Sequence, residues 1–189
     1  MKRLIPLFLT IFPFVILNAQ SYDELKRTVS DKREYFKQAL HETNNPDSIY
    51  EEAQKYLLAI TEDFFNAWYN TEWSFNGHTE TPGKGTIACG YFVTTILRDM
   101  GFNIPRAKWA QELSEHMIQM LSNNIKRFYR KIMVEIIVYI EEAGEGLYIV
   151  GLDNHSGYIY YRNGKMSFVH SNYYGSFTGV VSEPLIGHN

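Results

Sequence analysis

The chain has 189 residues, a formal charge of −3 at neutral pH, 15% aromatic residues and a single cysteine. That length supports one domain with one core. The mild acidity leaves no basic cluster beyond Lys126-Arg127 and Arg130-Lys131, so nucleic acid is not an expected partner; phosphate contacts need a concentrated cationic face.

Residues 1–20 read as a signal peptide. Lys2 and Arg3 give a short basic start, and Leu4 to Leu17 give an apolar stretch. That stretch contains Pro6 and Pro13 and is too short to span a bilayer comfortably. Cleavage after Ala19 or Gln20 removes two cations and no acid, moving the formal charge from −3 to −5 (16 cations against 21 acids). No cysteine sits near the cut, which excludes lipid attachment there. Residues 21–189 are expected to form a single exported domain, periplasmic or extracellular, with no stable membrane span.

Two helices are expected next. Ser21 followed by Glu24, and Ser48 followed by Glu51, have capping-box spacing. Ile49, Ala53, Tyr56, Leu57, Ile60, Phe64, Ala67 and Trp68 then make one apolar stripe at helical spacing. Between the helices, Asn44-Asn45-Pro46 reads as a turn. Residues 71–86 lack periodicity and read as a surface loop leading into Cys89. A third helix opens at Cys89 and stops at Gly101, and a fourth runs from about Arg106 to Leu121.

Strands follow. Ile132 to Ile140 is rich in Ile and Val, and Glu145 to Leu152 is a second run. Gly157 to Tyr161 and Met166 to His170 flank Asn163-Gly164, a strong hairpin signal, and Phe177 to Val181 is a last candidate strand. Helices first and antiparallel strands second predict an α+β fold.

The chemistry centres on Cys89. Exported proteins usually pair their cysteines, so a lone one points to a reactive thiol or to a disulfide across a homodimer. The positive end of a helix dipole favours a thiolate, and the free N–H at that helix end is a natural oxyanion donor. His155 begins a strand and is the candidate general base. His170 lies across the Asn-Gly hairpin and is the candidate orienter of the His155 ring, with Asn172 as the substitute if His170 points away. Trp73, Tyr91 and Asp153 are candidate substrate-binding residues. The remaining histidines, His41, His78, His116 and His188, have no ligand spacing, so neither a metal nor another cofactor is expected.

Three segments carry a resemblance. Ala-Cys-Gly-Tyr-Phe-Val at 88–93 resembles the Cys-Ser-Gly-Phe-Val box of NlpC-like cell-wall cysteine peptidases in the papain-like superfamily. Asn-His-Ser-Gly-Tyr-Ile at 154–159 is similar to their His-Val-Gly-Ile-Tyr strand. Arg-Asn-Gly-Lys-Met-Ser-Phe-Val-His-Ser at 162–171 is similar to their Gly-Asn-Gly-Lys-Phe-Ile-His-Ala hairpin. The resemblance departs at Ala88 and Gly90, where the family usually has Asp and Ser. It implies a papain-like domain with the nucleophile at a helix N-terminus packed on an antiparallel sheet. It also implies a Cys89–His155–His170 triad and hydrolysis of an amide bond through an acyl-thioenzyme, in peptidoglycan peptides or a similar substrate. An acyltransferase with the same triad and a non-catalytic envelope-binding domain on the same scaffold are the alternatives.

Overall fold

The computed structural model describes residues 21–185; the expected signal peptide lies outside them. Helix α1 spans Tyr22–Glu42, and Ser21 caps it by accepting a 3.2 Å hydrogen bond from the Glu24 N–H. Helix α2, Pro46–Trp68, starts before the expected Ser48 cap. Pro46 occupies its first turn, where a fixed φ favours the helix and the missing N–H costs nothing. Ser48 is already helical and its hydroxyl donates to the Asn45 carbonyl at 2.9 Å. The two helices pack against each other, and Phe64, Phe65 and Trp68 at the end of α2 enter the core.

Helix α3 spans Cys89–Asp99 and is the central element. Its apolar side chains Phe92, Val93 and Ile96 are fully buried. The fourth helix expected over Arg106–Leu121 is two pieces, α4 (Arg106–Ala110) and α5 (Ser114–Leu121). The break places Leu113 in extended backbone, and Ser114 Oγ donates to the Leu152 carbonyl at 3.0 Å, so α5 is steered onto the sheet.

The run Ile132–Ile140, expected as a strand, is helix α6, Met133–Ala143. β-branched composition is a weak determinant on its own. Here burial recurs at helical spacing, at Ile137 and Ile140, while Val134 and Val138 are exposed. Two local contacts also favour the helix: the Ile132 N–H donates to Glu135 at 3.3 Å, and Lys131 pairs with Glu135 at 2.6 Å.

The sheet is an antiparallel meander of β1 (Gly146–Leu152), β2 (His155–Arg162), β3 (Lys165–Asn172) and β4 (Gly179–Pro184), in that spatial order. The molecule is therefore α+β, as expected. Asn163 and Gly164 both have positive φ, 52° and 70°, the backbone that a two-residue hairpin requires. Side chains alternate between the faces of β2 and β3. Tyr158, Tyr160 and Val169 face the helices, and the Tyr158 hydroxyl donates to the Val93 carbonyl of α3 at 2.6 Å. His155, Gly157, Phe168 and His170 occupy the opposite face. Among the described residues no helix is long and apolar enough to cross a membrane.

The loop before α3 is held by a buried cation. Arg106 donates to Thr95 Oγ1 at 2.6 Å and to the carbonyls of His78 and Thr79 at 3.0 and 2.9 Å. Replacing it by Met leaves those acceptors without a donor. Arg106→Met is expected to cost about 3 kcal/mol in urea unfolding, since each lost charged hydrogen bond costs about 1–3 kcal/mol. A change below about 0.5 kcal/mol, the usual surface value, would show that Arg106 does not hold the loop.

Candidate functional site

Cys89 is half-buried at the first position of α3. Its cap residue, Ala88, supplies no side-chain hydrogen bond, and the first turn contains no acid. The N–H groups of that turn are thus left to meet an incoming anion or carbonyl oxygen. The approach to Cys89 is fixed to the sheet. Ser171, fully buried, donates through Oγ to the Ile87 carbonyl at 2.7 Å, and Ile87 pairs with His78 across the loop. The residue bonded to this lead-in is therefore the one directly after His170.

His155 and His170 are brought together. Gly157 pairs with His170 in the β2–β3 register, which sets the two imidazoles on one face. The separation from His155 Nε2 to His170 Nδ1 is 2.7 Å, with ring centroids 4.8 Å apart. Phe168 stacks on His170 at 4.3 Å and meets His155 edge-on at 6.0 Å. A side chain at Gly157 would collide with this group, because its Cβ would lie 2.8 Å from both the His170 Cβ and the Phe168 ring. On the far side, His170 Nε2 lies 3.2 Å from Glu183 Oε2, a residue of β4. Both histidines are over nine-tenths buried, whereas Glu183 is more than half exposed.

Burial dominates the titration of the pair. Desolvation, and secondarily the neighbouring His170, push the His155 imidazole down from 6.5 to about 4. His170 is also lowered by burial, a shift that the Glu183 carboxylate opposes. His155 is therefore neutral at neutral pH. Its Nδ1 is buried and has no hydrogen-bond partner, so no hydrogen bond joins it to the Cys89 thiol.

Tyr173, just beyond β3, links the two halves. Its ring lies 5.2 Å from that of His155 and 5.6 Å from that of Trp73, and Cys89 raises the Tyr173 hydroxyl electrostatically, behind its larger interaction with Tyr174. A cleft of about 570 Å³ opens over the histidines; its walls include Asp153, Phe168, Tyr173, Tyr174 and Glu183 but not Cys89.

Of the other expected site residues, Trp73 adjoins Tyr173 and Asp153 lines the cleft. Tyr91 points elsewhere, with Arg106 over its ring at 4.9 Å and Gln111 donating to its hydroxyl at 3.2 Å. Asn172 is not an orienter of His155. Its side chain donates to the carbonyls of Tyr174 and Phe177 and accepts from the Tyr174 N–H, which shapes the turn that presents Tyr173. Glu183 and Tyr173 carried no motif; Glu183 falls where an extended last strand would pass His170, and that pairing was the only signal for it. Among the described residues no cluster of histidine, cysteine and acidic side chains is placed to hold a metal. The chain matches no family model, no curated protein and no solved structure.

The lowered His155 makes a prediction about stability. Between pH 6.5 and about 4 the unfolded chain binds a proton that the folded chain refuses, so stability present above pH 6.5 is lost as pH falls through this window. At 1.36 kcal/mol per unit the shift sets an upper bound of roughly 3 kcal/mol on this loss. Urea unfolding at pH 7.5 and 4.5 should therefore show a steeper acid loss in the native protein than in His155→Gln; equal losses would contradict the buried neutral imidazole.

Proposed function

We propose that the protein is an exported cysteine hydrolase that cleaves an amide bond through an acyl-thioenzyme. The observation that carries this reading is the bare, buried Nδ1 of His155, at the end of the sheet to which the lead-in of Cys89 is tied. An imidazole that is neutral at neutral pH, braced against His170 through Nε2 and unpartnered at Nδ1, can accept a proton at Nδ1. The resemblance of segments 88–93, 154–159 and 162–171 to NlpC-like peptidases supports the same roles and suggests peptidoglycan peptides as the substrate class.

In the proposed reaction the Cys89 thiol proton passes to His155 Nδ1 as sulfur attacks the amide carbonyl. The developing oxyanion is met by N–H groups at the start of α3. Collapse breaks the C–N bond, and the leaving amine takes the proton from His155. Water, activated by the same imidazole, then hydrolyses the thioester and restores the thiol. The cleft beside His155 holds the peptide against Tyr173, which Trp73 backs. With His155 neutral, the resting site lacks the imidazolium half of a preformed ion pair.

A non-catalytic binding cleft is the second reading, favoured by the absence of Cys89 from the cleft walls. The two separate on thiol reactivity. With iodoacetamide at pH 7, His155→Ala should slow alkylation of Cys89 by about 100-fold, the lower end of what a general base contributes. Cys89→Ser should abolish labelling and cleavage of cell-wall peptides together. Equal alkylation rates in native protein and His155→Ala would leave the binding cleft.

A further inference from the structure

We propose that Glu183 is a positioning residue which, acting through His170, fixes the proton on Nε2 of both imidazoles and so keeps His155 Nδ1 a bare acceptor. The role assigned to that atom rests on the hydrolase reading, while the proton arrangement belongs to the three side chains themselves.

The arrangement follows from counting donors. A carboxylate accepts hydrogen bonds and does not donate them, so His170 Nε2, 3.2 Å from Glu183 Oε2, must carry a proton. Burial lowers both histidines, and a neutral imidazole carries one proton, so His170 Nδ1 is bare. The atom 2.7 Å from it, His155 Nε2, must then be the donor. His155 has now spent its single proton, and its Nδ1 presents a lone pair.

The opposite arrangement also contains one N–H···N bond between the rings. There His170 Nδ1 donates to His155 Nε2, and the His155 proton moves to Nδ1. A nitrogen that already bears a proton accepts none, so the base is lost. The ring-to-ring bond does not distinguish the two arrangements; the third member does. Glu183 is suited to that task because β4 places it opposite Phe168, on the strand next to His170. Its side chain is 57% exposed, so it can be replaced without opening the core.

The test labels histidine with ¹⁵N and records long-range proton–nitrogen spectra at pH 8, where a protonated and a bare ring nitrogen resonate far apart. In the native protein His155 and His170 should both show the proton on Nε2. In Glu183→Leu a large fraction of His155 should move its proton to Nδ1, and Cys89 alkylation should slow by about tenfold. A native protein with the proton on His155 Nδ1 would overturn the inference without any variant. So would a Glu183→Leu spectrum whose imidazole signals match the native ones. If the proton positions follow Glu183 while Cys89 alkylation is indifferent to His155, the proposed arrangement stands and the hydrolase reading falls.

Discussion

The alternation of β2 is the constraint on which the rest depends. One side of this strand anchors the core: Tyr158, fully buried, reaches α3 and bonds the Val93 carbonyl at 2.6 Å. The other side carries His155 and Gly157 beneath Phe168 and His170. Because the period of a strand is two residues, the placement of the tyrosine in the core and the placement of the histidine in the cleft are a single decision. The same holds for β3, where Val169 and Ser171 face inward and His170 outward. Ser171 extends this coupling toward the thiol, since its hydroxyl ties down Ile87, the loop residue two positions before Cys89.

Much of this was legible in the residues. The Asn163-Gly164 turn announced itself through the one dipeptide whose backbone freedom suits a tight hairpin, and with it came the register that unites the histidines. The start of α1 at Ser21 and the long apolar stripe of α2 were equally local signals. What escaped depended on contacts distant in sequence. The Ile/Val run of α6 has strand composition, and only its one-sided burial, with Ile137 and Ile140 inward, resolves it as a helix. The kink between α4 and α5 answers to the Leu152 carbonyl, 38 positions from Ser114. Glu183 reaches His170 through strand pairing alone, and Tyr173 is aimed by hydrogen bonds inside its own turn. Pattern finds periodic elements and short turns; it does not find partners that a sheet edge supplies.

The site is assembled from pieces with unequal support. The imidazoles stand on a paired sheet and are buried. Cys89 depends on a loop, 71–87, that has little regular structure of its own and is fastened by Arg106, by the Ser171 hydroxyl and by isolated bridges from Glu72 and His78. Tyr173 lies between the two pieces: its ring adjoins that of His155 at 5.2 Å, and its hydroxyl feels the charge of Cys89. Such a division puts precision in the sheet and leaves adaptability to the loop.

Gly157 gives this construction a further property. Its missing side chain is the gap into which His170 and Phe168 settle, at separations that no Cβ would permit. Were β2 to shift by one position against β3, either Ser156 or Tyr158 would arrive beneath those rings, and neither fits. The vacant methyl position thus acts as a key for strand pairing. A chain that closes the hairpin in the wrong frame cannot bury its histidines, so misregistered molecules would be sorted out during folding by the same crowding that later holds the imidazoles in place.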